Sequence, residues 1–283
     1  MQVTGTVLTT RRVDAYHALT VVAPGIAERF RPGHFVSVAV GGSRSSMLTR
    51  RSFSVHDVRS DYGGTVELVF TVRGPGTEWL AERRARDTLD LVGPLGRPFP
   101  VPRDPVSVVL VGFEYGSAVL FPLADTLLAR SCRVDFVLGG GSADRVFGAM
   151  RARRIAETTT LSTRDGSLGL RGEVTDVLAS VITDTRADVV YACGPMEVMR
   201  AVTSVAIKFD IPVQVVAEEA MACGIGICMT CVLPVIGDDG VTRMVRACVD
   251  GPVFRGERVR FEDVGTIPFD AQGAPGGGAR HVS

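Results

Sequence analysis

Four cysteines carry the strongest chemical signal in this 283-residue chain. Cys223, Cys228 and Cys231 follow a C-x4-C-x2-C spacing, and Cys248 comes after a short excursion. Four thiolates at this spacing hold the two irons of a plant-type [2Fe–2S] cluster. The residues between them suit that task. Gly224 and Gly226 permit φ > 0 and a close approach of backbone to cluster. Loop N–H groups can then point at the sulfurs and set the potential. Two other chemistries stay open. A structural zinc site usually takes two short knuckles, whereas here there is one, and the nearest histidine is His281 in a glycine-rich tail. A Cys228–Cys231 redox dithiol would leave Cys223 and Cys248 without a role.

A second set of residues points to a dinucleotide. Leu48 to Val55 reads LTRRSFSV. Arg51 offers a planar fork for pyrophosphate, and the hydroxyls of Ser52 and Ser54 can donate to a flavin ring. The bland alternative is an edge strand with a solvated arginine pair. Arg73-Gly74-Pro75-Gly76-Thr77 then leads into a helix expected over Thr77–Ala85, with Thr77 as its cap and Trp79 and Leu80 inward. Glycines before a helix start form an anion site, because free N–H groups and the helix dipole face the ligand. On one barrel, the two elements would suit FAD.

These groups need scaffolds to position them. Residues 2 to about 100 read as short strands punctuated by Pro24-Gly25, Pro32-Gly33, Gly41-Gly42 and Gly63-Gly64, the pattern of a small antiparallel barrel. From Val106 to Val216 apolar runs alternate with helical stretches, which implies a parallel sheet covered on both faces. The expected fold class is therefore α/β plus all-β. It comprises an antiparallel flavin-binding barrel over 1–100, a Rossmann-like parallel α/β domain over 101–217, a [2Fe–2S] cluster domain over 218–262, and a disordered tail over 263–283. The tail includes the run AQGAPGGGARHVS.

Bulk composition narrows the function classes. Lys+Arg and Asp+Glu are 31 each, so no basic surplus argues for nucleic acid. No apolar run approaches the ~20 residues of a membrane helix, and the start has no signal-peptide pattern. A cytoplasmic location is expected, where thiols stay reduced.

In this order the motifs resemble the ferredoxin–NADP reductase-like flavoproteins, and among them the electron-transfer subunits of dihydroorotate dehydrogenase. The resemblance covers roughly residues 1 to 260. Pro32-Gly33-His34-Phe35-Val36 is similar to the family's P-G-Q-F-V strand, Arg51 to Ser54 to its R-P-x-S flavin motif, and Gly76-Thr77 to its pyrophosphate turn. Asp165-Gly166-Ser167 with Gly169 and Gly172 to Asp176, Cys193-Gly194-Pro195, Met221 to Gly226 and Asp250 to Phe254 continue the match. The resemblance implies that Arg51, Ser52, Phe53 and Ser54 line the flavin. It places Val69, Phe70 and Thr71 on the adenylate or ribityl side, and Gly76 and Thr77 on the pyrophosphate. Cys223, Cys228, Cys231 and Cys248 would bind one cluster.

The implied function is an oxidoreductase subunit with FAD, a [2Fe–2S] cluster and NAD(H). It would carry electrons between the FMN of a dihydroorotate-oxidising partner and FAD/NAD in pyrimidine biosynthesis, in a heterotetramer of two plus two. No catalytic acid or base is required. Other readings are an NAD(P)H-dependent reductase serving a ferredoxin, hydrogenase or glutamate synthase type of partner, and a redox-inactive interaction subunit with a structural metal.

Three positions depart from the family pattern. Ser52 replaces a proline and Thr71 an arginine. The family's glycine run after the first α/β strand is Phe113-Glu114-Tyr115 here. Phe113 fills space that glycine leaves for pyrophosphate. A like charge at 4 Å costs about 4 kcal/mol at an effective dielectric of ~20. Either Glu114 opposes NAD(H), or it turns away and NAD(H) binds weakly.

Overall fold

Alternation in the first hundred residues closes into a barrel. The computed structural model describes residues 1–42 and 45–274. Strands β1 (Gln2–Val13), β2 (Tyr16–Val22), β3 (Phe35–Val38), β4 (Arg51–Arg59), β5 (Thr65–Phe70) and β6 (Thr88–Leu95) close in the order β1-β2-β5-β4-β3-β6, all antiparallel. Val36, Val38, Leu68 and Leu91 fill its interior. Phe35 and Ser37, of opposite parity on β3, face outward from that core, as a period of two requires. Two local expectations change. Pro24-Gly25 opens a helix, α1 (Pro24–Arg29), instead of a turn, since proline's fixed φ suits a first helical position. The next helix, α2, runs Pro75–Ala81, so Thr77 is its third residue and not its cap.

The α/β region adds β7 (Ser107–Phe113), α3 (Leu120–Leu128), β8 (Arg133–Gly140), α4 (Ala149–Ile155), β9 (Thr158–Thr163), β10 (Leu170–Arg171), α5 (Val174–Thr185), β11 (Val189–Cys193), α6 (Met196–Ile207) and β12 (Val213–Val216). Helix α4 begins only at Ala149, because Gly148 at φ 77° breaks it from the short turn before. Val108 and Leu110 of β7 pack with α3 on one face, and Val109 and Val111 pack with α5 and α6 on the other. Burial on both faces explains the continuous apolar run of β7.

The cluster segment is less separate than expected. β13 (Val232–Ile236) and β14 (Thr242–Arg246) form a hairpin, but β15 (Val253–Arg255) pairs antiparallel with β12. The sheet order is β10-β9-β8-β7-β11-β12-β15, so a strand from 218–262 caps the α/β sheet. The expected tail over 263–283 divides in two. Up to Ala274 it is held, with Arg260 pairing to both Asp263 and Asp270 and Gln272 N–H donating to Thr242 O at 2.8 Å. Residues 275–283, including His281, lie outside the described residues. Among the described residues no helix is long and apolar enough to cross a membrane.

Candidate redox site

The hairpin β13–β14 brings two cysteines together by its register. Cys231 precedes β13 and Cys248 follows β14. Val232 pairs with Arg246, and Ala247 N–H donates to Cys231 O at 2.8 Å. Both thiols are buried, in a core shared with Phe35 of the barrel. Cys223 and Cys228 lie on the loop above, with Cys228 exposed. The N–H groups of Ile225, Ile227 and Cys228 all point at Cys223 Sγ, at 3.5, 3.3 and 3.5 Å.

Gly224 and Gly226 take φ 71° and 85°, the conformation expected of them. Arg246 Nη1 clamps the loop through Gly226 O at 3.1 Å. Burial raises the Cys223 thiol, but the N–H donors of Cys228 and Ile225 outweigh it and bring it down to about 6. The hydroxyl of Thr230 leads a similar lowering at Cys228. Burial, then the neighbouring Cys231, push Cys248 up to about 12. The sulfurs thus sit as an outer and an inner pair. Among the described residues no three His, Cys, Asp or Glu side chains already form a metal cage. The donor chemistry fits a cluster: four thiols on one loop and one hairpin, with backbone donors aimed at sulfur.

The same loop touches the barrel. A Cβ placed on Gly224 would lie 2.4 Å from Ser37 Oγ, 3.4 Å from Ser52 Oγ and 3.5 Å from Phe35. Ser37 and Ser52 share a hydrogen bond of 3.0 Å. The cysteine loop therefore packs on β3 and β4, the strand of the R-S-F-S motif. Sequence reasoning named Phe35 only as part of the P-G-H-F-V strand, with no role at the cluster, and did not single out Ser37. Their signal was the alternation of β3, which left one face without an assigned partner.

Arg51 and Gly76, 25 residues apart in sequence, meet in space. A Cβ on Gly76 would stand 3.0 Å from Arg51 Nε and 3.3 Å from Nη2. Arg51 Nη1 is held by Thr49 O at 2.8 Å, which fixes the fork over the first turn of α2. Thr77 Oγ1 accepts from Arg73 N and Gly74 N, at 2.9 and 3.2 Å, so its hydroxyl fastens the turn. The N–H groups of Gly76 and Thr77 belong to the helix's first turn, where no intrahelical acceptor exists. A guanidinium beside such donors suits a phosphate group. Ser52, Phe53 and Ser54 are half-buried along β4. Phe70 turns into the barrel against Phe53, with ring centroids 5.4 Å apart, while Val69 faces the α/β domain. Thr71 lies just past β5 and is half-buried.

The turn after β7 is different. Strand order reverses between β7 and β11, the place where open α/β sheets take ligands. Phe113 is buried there, 4 % exposed, and a Cβ on Gly194 would lie 2.9 Å from Phe113 Cβ. Glu114 has φ 52°, and its carboxylate accepts from Gly141 N–H at 3.4 Å and pairs with Arg145 at 3.2 Å. Tyr115 donates to Glu218 at 2.5 Å and accepts from Arg73 at 2.8 Å. Cys193 is buried beside it, its thiol pushed up by burial, then by the charge of Glu218, which suits an apolar filler.

Barrel, parallel sheet and cysteine loop together define a flavin reductase fold carrying an iron–sulfur domain. Residues 218–260 match the model of the iron–sulfur cluster binding domain of dihydroorotate dehydrogenase B. The chain is 33 % identical over 240 residues to the dihydroorotate dehydrogenase B (NAD(+)) electron transfer subunit of Desulforamulus reducens, covering 85 % of this chain and 90 % of that one. It is 36 % identical over 246 residues to the same subunit of Bacillus caldolyticus, covering 86 % and 92 %. Among solved structures, an NADH-dependent reduced ferredoxin–NADP oxidoreductase superposes with a TM-score of 0.80 and 29 % identity, over 92 % of this chain and 91 % of that one. The chain belongs to the family of dihydroorotate dehydrogenase B electron transfer subunits. It is an oxidoreductase subunit with FAD and a [2Fe–2S] cluster as cofactors. As an electron transfer subunit it works with a separate catalytic partner.

Proposed function

We propose that this chain relays electrons for a dihydroorotate-oxidising FMN subunit, in an assembly of two plus two, in the cytoplasm. The observation that carries this reading is the contact of the cysteine loop with β3 and β4, at Ser37 and Ser52. It sets the thiol-bearing loop directly against the flavin motif. When bound, FAD exchanges electrons in pairs or singly and a [2Fe–2S] cluster singly, so the two link a two-electron oxidation to one-electron transfer.

In this reading Cys223, Cys228, Cys231 and Cys248 ligate the cluster, and Arg51, Gly76 and Thr77 hold the pyrophosphate. Ser52, Phe53 and Ser54 line the flavin ring. Val69 and Thr71 flank its side chain, and Phe70 supports Phe53 from inside the barrel. The units remain 1–100 for FAD and 101–217 for the α/β domain, with 218–262 for the cluster and lending β15 to the sheet. Ile225, Ile227 and Met229, 49 %, 75 % and 52 % exposed, surround Cys228 with apolar surface on which the partner would dock.

Co-purification with a dihydroorotate-oxidising subunit, followed by anaerobic addition of dihydroorotate, tests this. The expected result is loss of flavin absorbance and an EPR signal from the reduced cluster, both requiring the partner. A colourless, zinc-containing protein would end the reading. The 29 % identity to the NADH-dependent oxidoreductase favours a second reading, service to a different redox partner. Flavin and cluster bands without response to dihydroorotate would select it.

A further inference from the structure

We infer that the ligand crevice of the α/β domain is closed to nicotinamide dinucleotides by the chain's own Phe113, Glu114 and Tyr115, so that this flavin exchanges electrons only with other redox partners. The inference goes beyond the proposed relay, and rests on it for the presence of FAD.

Three observations converge on the turn after β7. The first is space. Phe113 occupies the reversal between β7 and β11, where a pyrophosphate approaches backbone. Its ring is covered by the guanidinium of Arg164 at 4.9 Å. The second is donors. Gly141 N–H, at the C-terminal end of β8, already donates to Glu114, so the carboxylate takes a backbone donor that an incoming phosphate would use. The third is charge. Arg145 is paired with Glu114, Arg164 with Glu173 and Glu197, and Arg73 with Glu218. Three guanidiniums thus face four carboxylates around the turn, one negative charge in excess. A doubly charged pyrophosphate would enter against that excess and displace existing pairs. Arg73 and Glu218 also tie Tyr115 to the barrel and to the start of the cysteine segment, which pins the turn from both sides.

The test uses holoprotein purified with its flavin and cluster. NADH, NADPH and NAD+ are each titrated by calorimetry and, for the reduced forms, by anaerobic bleaching of the flavin. Photoreduction of the same sample shows that both centres can take electrons. A sample without flavin and iron–sulfur bands would count against the relay itself, while calorimetry still reports the crevice. The expected result for the wild type is no saturable binding up to about 1 mM and no rapid bleaching.

Glu114→Gly removes the carboxylate and also relieves a left-handed backbone, φ 52°, that glycine adopts freely, so this variant keeps the fold. It is expected to gain at least about tenfold in affinity, and Phe113→Gly/Glu114→Gly at least about a hundredfold, into the micromolar range. Saturation of the wild type below about 100 µM, with bleaching, overturns the inference. So does the failure of both variants to gain binding, because the closure would then lie elsewhere.

Discussion

The loop around Cys223 and the turn after β7 are both expected to hold a redox cofactor, and they are built in opposite ways. At Cys223, three backbone N–H groups point at one sulfur, two glycines hold φ > 0, and Cys228 stands at the surface. At Glu114, side chains occupy the space and satisfy one another: carboxylate to Arg145, backbone N–H to carboxylate, phenol to Glu218. A cofactor site gathers its backbone donors on the ligating atom and keeps room around it with glycine. A closed one spends its donors internally.

The sharpest way to break the comparison is at the inner cysteines. Cys231→Ala or Cys248→Ala removes a buried ligand, and iron per protein chain should fall to near zero with loss of the reduced-state EPR signal. Stability should fall by several kcal/mol, since metal binding at such sites is coupled to folding. Retention of full iron content by both variants would show that the sulfurs are not ligands. Gly224→Ala comes next. It forces a Cβ to 2.4 Å from Ser37 Oγ at φ 71°. A cost of about 2–3 kcal/mol is expected from left-handed backbone and overpacking together. Gly240→Ala, at φ 78° with open space around it, carries the backbone cost alone, about 1 kcal/mol. Equal losses in thermal melts of the two variants would mean that the loop does not press on the barrel.

Arg51→Ala tests the flavin end with a smaller effect. Losing a charge-assisted contact to phosphate should weaken FAD by about 10–30-fold, seen in the flavin-to-protein ratio after gel filtration, with iron content unchanged. Much of this site was legible in the sequence. The spacing of the cysteines and the R-S-F-S motif were local patterns, and local chemistry fixed their backbone, as at Gly224. What was not legible depended on partners far along the chain. Glu114 read as a negative charge in a phosphate site, but its neutralisation by Arg145, 31 residues on, appears only once β8 is beside β7. Three-residue β15 has too few positions to declare a partner, and its pairing with β12 follows from the path of the cysteine segment. Pro24-Gly25 carried both a turn and a helix-start signal, and packing of Ile26 into the barrel chose the helix.

The smallest effect is a difference between the two halves in mild acid. Every histidine among the described residues, His17, His34 and His56, lies in the barrel, and burial lowers each of them. At His34 burial leads and the charge of Arg31 adds to it, bringing the imidazole to about 4. Its Nδ1 accepts from Arg31 N–H at 3.0 Å, which requires the neutral ring. The next residue, Phe35, is the barrel side chain that enters the core of Cys231 and Cys248.

A folded value below the unfolded ~6.5 means that the unfolded chain binds the extra proton between about pH 6.5 and 4. Stability is therefore intact above pH 6.5 and declines as pH falls through that window, by about 2 kcal/mol at pH 5 from His34 alone. His34→Asn keeps an acceptor for Arg31 N–H without a titrating group. It should flatten the loss between pH 7 and 5 in thermal melts while leaving the pH 7 value within about 1 kcal/mol of wild type. Among the described residues no histidine contacts the Glu114–Arg145 pair itself; His56 reaches the same turn only at its far end, through Ala118 O at 2.7 Å. Acid should then loosen the flavin and cysteine side before the closed crevice, and amide exchange at pH 5 should rise first in β3 and the Gly224 loop, with Gly141 N–H still protected. Earlier exchange at Gly141 would reverse the order of the two regions.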